Sequence, residues 1–284
     1  MYPTAPSSTF LRGAVFHDPV PVGGVAAALL LGTYGLLGVP VDFPLVVAGV
    51  CGVALVYAAD RGWAAPAEDR INRPERVAWV RAHLDWLAAE TAVLFALGGA
   101  MLVMLEWTTL LWIVVLGGLA LLHVWPCGRA GSLLRGTSKP LVIAGVWAVG
   151  GTLLPLVEAG RPLGFAPLLF LVYRWLFILP NLLLADWSDR AGDAEMDLAP
   201  WAAGWAKAQV RGLASVLLFI AALGVGLVYA FGTPPPLLGL DAIGLLLMGG
   251  AVWRLEPSRP RDALLADLVV AWPLVPALVA WMMV

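Results

Sequence analysis

Apolar residues along the chain fall into nine runs, separated by short clusters of charge, proline and glycine. A helix that crosses the hydrocarbon core takes roughly 20 mostly apolar residues. Dividing the chain on that basis predicts spans at approximately 22–38, 42–59, 83–105, 108–125, 139–158, 163–185, 209–231, 236–253 and 263–283. Apolar and polar positions do not alternate within the runs, so barrel strands are excluded and helices remain as the way to satisfy the backbone in lipid. Small-residue pairs at Gly98-Gly99, Gly117-Gly118, Gly150-Gly151 and Gly249-Gly250 predict close helix approaches. The expected fold is an all-α integral membrane protein with about nine transmembrane helices. It is expected to be one domain over residues 1–284, with residues 1–20 as an N-terminal segment and no long linker.

Composition supports this pattern. The 284 residues are 61% hydrophobic and 13% charged, about half the charge of an ordinary soluble domain. A net charge of −2 gives no footprint for a nucleic-acid partner. Two cysteines, Cys51 and Cys127, are too few for a disulfide framework and fit no metal knuckle. The first apolar run passes into the second without a small-residue cleavage site, so no removable signal peptide is expected.

Basic residues set the expected orientation. Fifteen of the seventeen Lys and Arg fall on one side of the predicted spans; Arg161 lies on the other and Arg174 lies within a span. By the positive-inside rule the N-terminus is cytoplasmic and the C-terminus external. Two even-numbered spans, the second and the sixth, end at this face in similar fashion, as "YAADR" at 57–61 and "LLADWSDR" at 183–190.

The second of these ends carries the strongest chemical signal. Asp186, Asp189 and Asp193 lie at i, i+3 and i+7, within about 60° on one helical face. Carboxylates so placed repel one another unless a cation lies among them. Mg²⁺ suits them, because it takes hard oxygen ligands and is usually shared between a few carboxylates, water and substrate phosphates. Asp60 at the end of the second span could face this stripe and hold a second ion. Such ions would neutralise a departing pyrophosphate. The plainer alternative is a solvated acidic collar at a membrane exit.

"ADRGWAAPAEDRINRPER" (59–76) and "DWSDRAGD" (186–193) resemble the two Asp-rich motifs of the UbiA superfamily of intramembrane prenyltransferases. In that family the first motif reads N-x-x-x-D-x-x-x-D, followed by N-R-P, and the second reads D-x-x-D-x-x-G-D. Asp60, Arg61 and Asn72-Arg73-Pro74 keep the spacing of the first, and Asp186, Asp189, Gly192 and Asp193 match the second. The first motif also departs from the pattern: Val56 replaces its Asn and Ala64 its last Asp, while Glu68 and Asp69 stand close by as alternative carboxylates. Tyr57 before Asp60-Arg61 is similar to a branch of the family with Y-x-x-D-R at this place.

The resemblance implies a UbiA-type fold and Mg²⁺-dependent transfer of a prenyl group from an isoprenoid diphosphate to a lipophilic acceptor. It implies metal binding and catalysis by Asp60, Asp186, Asp189 and Asp193. Substrate contacts are expected from Tyr57, Asn72, Arg73, Arg135 and Lys139, with Arg73 and Lys139 preferred for pyrophosphate; for each basic residue simple positive-inside anchoring is the competing reading. Arg174, roughly 18 Å along its helix from Asp186, is expected near mid-membrane. It would be paired with Glu90, either as a structural pair or lining an acceptor pocket.

Trp147, Tyr173, Trp175, Phe177 and Trp272 are deep aromatics that would line a prenyl tunnel or simply pack. Asn181 reads as an interhelical hydrogen bond beside Pro180, not as a ligand. Asp85 and Glu90 could remove an acceptor proton, and three scattered histidines support no zinc or haem site. The expected setting is a bacterial inner membrane, with the motif loops cytoplasmic, membrane lipid around the bundle, and no nucleic-acid partner. A terpene cyclase on the same fold, and a non-catalytic isoprenoid-binding or lipid-binding protein, are the alternatives. The identity of the acceptor is not readable from the sequence.

Overall fold

In a computed structural model the chain is all-helical over the described residues, which are 7–63, 68–124, 139–195, 204–231 and 235–283. The helices are α1 (Ser7–His17), α2 (Val20–Leu37), α3 (Phe43–Ala58), α4 (Asp69–Asn72), α5 (Pro74–Ala82), α6 (Leu84–Leu102) and α7 (Trp107–Val124). They continue as α8 (Lys139–Glu158), α9 (Phe165–Glu195), α10 (Lys207–Phe231), α11 (Leu238–Arg254), α12 (Pro260–Val270) and α13 (Leu274–Met282). Each of the nine predicted apolar runs coincides with helix. By length and composition six helices can cross a membrane, or seven when α12 and α13, bent by 43°, count as one span. At 17 residues α11 is shorter than a full crossing, and α7 has a short apolar stretch, Trp107–Leu122.

Local chemistry fixes the ends that shape the site. Gly38 ends α2 in the left-handed conformation, at φ 61°, and its N–H donates to the Tyr34 carbonyl. Asp42 caps α3 by accepting from the Leu45 N–H at 2.7 Å. At its other end α3 runs on into one π turn, Ala59–Trp63, which carries Asp60 and Arg61. Pro74 disfavours helical backbone at the residue before it, and Arg73 is accordingly non-helical, at φ −139° and ψ 54°, separating α4 from α5. Helix α9 is 31 residues long, and Pro180 lies inside it without ending it.

Helix α9 forms the spine of the bundle, with Phe177, Ile178, Leu179 and Leu184 almost wholly buried. A close helix approach lies away from the predicted glycine pairs, between α2 and the start of α13. A Cβ on Gly35 would lie 2.5 Å from Ala277 Cα, and one on Gly32 would lie 2.8 Å from the Pro273 carbonyl oxygen. Gly98 and Gly151 do meet neighbours, Cys51 at 3.0 Å and Leu29 at 2.9 Å, whereas Gly99, Gly117, Gly118 and Gly250 have open space beside them. Large apolar side chains such as Phe95, Val114, Phe219 and Leu246 point outward, as the lipid-facing surface of a membrane bundle does.

Candidate active site

The two acidic motifs meet at one end of the bundle, and the contact is made by Asn72. Its side-chain amide donates to the Asp189 carbonyl at 2.6 Å, and its side-chain oxygen accepts from the Gly192 N–H at 2.9 Å. Gly192 makes this clamp possible. A Cβ there would come within 2.6 Å of both Asn72 Nδ2 and the Glu68 carbonyl oxygen. Asn72, one of the residues expected to touch substrate, fastens the α4 turn to α9.

Arg73 ties a third segment to the same place. It donates to Asp189 Oδ1 at 2.7 Å, to Ser188 Oγ at 3.2 Å, and to the Pro257 carbonyl before α12. Lys139, the first residue of α8, reaches Asp186 Oδ1 at 3.5 Å, and Asp186 is 5% exposed. Arg76 binds the Asp69 carboxylate. Burial pulls the Arg76 pKa down, but the hydrogen-bonded Asp69 charge, then Asp60 and Asp189, outweigh it and hold it above the ordinary value. Arg61 donates to the His17 carbonyl at 2.8 Å, and its guanidinium lies 5.2 Å from the centre of the Tyr57 ring.

These groups surround the mouth of a cavity of about 690 Å³. Tyr57, Asp60, Asn72, Arg73, Lys139, Asp189 and Asp193 all line it, so the structure brings together seven of the ten expected site residues. Asp186 stands behind Lys139, through their ion pair. Val56 also lines the wall, where the family pattern has Asn, and Glu68 lines it beside Asp193. Arg135 and Ala64 lie outside the described residues. Arg61 and Arg76 were not among the residues expected to contact substrate. Both line the cavity, and each has a buried Nε without a hydrogen-bond partner.

Beyond the mouth the cavity is apolar. Its wall on α3 runs from Asp60 to Leu45 and on α8 from Lys139 to Leu154, each about 22 Å of helical rise. Gly52, Gly117 and Gly150 keep that channel wide. Of the five deep aromatics singled out, only Trp147 lines it.

Arg174 is placed elsewhere. Its guanidinium pairs with Asp241 of α11, at 3.0 and 3.1 Å, and not with Glu90; Tyr173 donates to the same carboxylate at 2.8 Å. Arg174 is 1% exposed, stacks on Phe170, and does not line the cavity. The expected pairing with Glu90 is therefore replaced by one with Asp241, in the first turn of α11.

The donor chemistry at the mouth suits Mg²⁺: hard carboxylate oxygens from Asp60, Asp186, Asp189 and Asp193 share one end of the bundle. Among the described residues no three acidic, histidine or cysteine side chains converge into a ready-made cage. Asp186 and Asp189, expected to hold one ion together with Asp193, are engaged by Lys139 and Arg73. Asp60, Asp189 and Asp193, which line the mouth, are the carboxylates that would hold such an ion.

The chain is thus a membrane-type helical bundle with a charged mouth over a long apolar channel. Its fold is the UbiA fold. A UbiA homologue from Archaeoglobus fulgidus, bound to GPP and Mg²⁺, matches with a TM-score of 0.65 and 10% identity, over 93% of this chain and 99% of that one. A UbiA homologue from Aeropyrum pernix K1 matches at 0.62 and 16% identity, over 91% and 97%. A digeranylgeranylglyceryl phosphate synthase matches at 0.55 and 16% identity, over 97% and 100%. No protein-family model and no curated protein sequence matches the chain.

Proposed function

We propose that this protein is a UbiA-superfamily prenyltransferase that, with Mg²⁺, moves a prenyl group from an isoprenoid diphosphate to a lipophilic acceptor within the membrane. The observation that carries the reading is the cavity itself. Charge at its mouth is continuous with an apolar channel of about 22 Å, the shape of a diphosphate head on a hydrocarbon tail. The neighbours bound to GPP or DMAPP with Mg²⁺ support the same substrate class.

In this reading Lys139, Arg61 and Arg76 bind the diphosphate, the last two through guanidinium groups with unused donors. Arg73 works indirectly, holding Asp189 and the α12 entrance in place. Mg²⁺ held by the motif aspartates supplies charge neutralisation to the leaving pyrophosphate. The apolar walls keep water from the carbon that loses it, and the face of Trp147 favours positive charge along the channel. The motif end faces the cytoplasm by the bias of Lys and Arg, in a bacterial inner membrane.

Binding of farnesyl thiodiphosphate, a slowly ionising analogue, tests the first half of this reading. Affinity is expected to require Mg²⁺ and to fall about tenfold or more in Lys139→Met, the loss of one charge-assisted contact. Metal-independent binding that Lys139→Met leaves unchanged would contradict it.

A further inference from the structure

A second polar level lies below the mouth. Asp267 of α12 lines the cavity, and its Oδ1 accepts from Asn181 Nδ2 of α9 at 3.2 Å. Asn181 precedes Asp186 by five residues and Asp189 by eight, so this level is about 7.5–12 Å deeper than the motif carboxylates. From α12 the depth is similar, with Asp267 two turns beyond Pro260, about 10 Å. Tyr57 borders the same region, and Asp267 is close enough to Tyr57 and Arg61 to act on both electrostatically.

Four features set Asp267 apart. It lies in an apolar segment, where a carboxylate is costly and marks a functional position by default. Among the described residues it makes no ion pair. Its amide partner orients one oxygen while the cavity remains open beside it. Its depth matches that of the carbon joined to the diphosphate, when the phosphates sit at the mouth.

We infer that Asp267, oriented by Asn181, receives the proton of the acceptor's nucleophile, and that the acceptor therefore presents a hydroxyl group. This rests on the prenyl-transfer reading and deepens it. In the step, the bond from the prenyl carbon to the diphosphate oxygen breaks and pyrophosphate leaves with the electron pair. The acceptor oxygen bonds to that carbon, and its proton passes to an oxygen of Asp267 and on to water. Asn181 donates to the carboxylate in its charged form and is a positioning residue.

The test uses the detergent-purified full chain with two probes, 4-dodecylphenol and its methyl ether, which differ only in the O–H. Wild type is expected to bind the phenol about tenfold more tightly or better. Asp267→Asn and Asp267→Leu are both expected to bring the ratio close to one, without loss of Mg²⁺-dependent farnesyl thiodiphosphate binding. Phenol prenylation from geranylgeranyl diphosphate is expected to fall at least 100-fold in Asp267→Asn. Equal binding of the two probes by wild type, or an undiminished preference or prenylation rate in Asp267→Asn, overturns the inference. A phenol preference that depends on Asp267 in a protein that binds no thiodiphosphate would instead overturn the prenyl-transfer reading and leave the hydroxyl site standing.

Discussion

Arg174→Met is expected to destabilise the protein by about 3–5 kcal/mol, because it leaves the Asp241 carboxylate uncompensated in the bundle interior. The two side chains are 1% and 0% exposed, and the remaining partner of Asp241 is the Tyr173 hydroxyl. Replacing both, as Arg174→Met with Asp241→Leu, is expected to recover most of the loss, since an apolar pair needs no desolvation of charge. Reversible unfolding in detergent or bicelles measures both changes. Diphosphate affinity of the folded Arg174→Met protein should be unchanged, as Arg174 does not line the cavity. A selective loss of substrate affinity with normal stability would restore Arg174 to the site and contradict its placement.

The second large effect is expected at Gly192. Alanine is ordinarily the better helix former by about 1 kcal/mol, so within an unobstructed helix Gly192→Ala would stabilise. Here the added carbon lies 2.6 Å from the Glu68 carbonyl and from the Asn72 amide. Backbone at Glu68 cannot yield cheaply, so the α4 turn must move and both Asn72 bonds to α9 are lost. Overpacking costs of about 1–3 kcal/mol are typical. The functional loss is expected to be larger, at least 100-fold in turnover, because the same movement draws Arg73 away from Asp189. A control with Gly99→Ala, whose Cβ meets open space away from the cavity, should be nearly silent. Near-normal turnover in Gly192→Ala would mean that the two motifs do not need this clamp.

These two positions show how differently parts of the site could be read. The three aspartates of α9 were legible because helical periodicity puts them on one face, and Gly192 through the motif resemblance; the structure keeps α9 helical through Glu195. Lys139 and Arg73 were placed near those aspartates by their position at one face of the bundle, but as pyrophosphate ligands and not as the carboxylates' ion-pair partners. Pairings across long sequence separations were not legible. Arg174 and Asp241 are 67 residues apart, and depth alone left Glu90 as good a partner. Asn72 shows another limit: its position was found, but a motif does not say whether an amide faces a substrate or another helix.

Asp267 was missed, although a signal existed. It is an acid inside the predicted span 263–283, and such a residue deserves a functional reading unless a partner accounts for it. Nine apolar runs were expected to cross, whereas by length and composition six helices, or seven with the bent pair, can do so among the described residues. The last run is broken by a 43° bend between α12 and α13, where Trp272 and Pro273 interrupt it.

The measurement closest to the central claim is pyrophosphate release from geranylgeranyl and farnesyl diphosphate by the purified protein, with and without Mg²⁺. It should run beside Asp60→Ala and Asp186→Ala, with the organic product identified. The account predicts Mg²⁺-dependent release that falls at least 100-fold in either variant, and a prenylated acceptor when membrane lipids are added. No release with either substrate in the presence of those lipids, from a protein that remains folded, would contradict it.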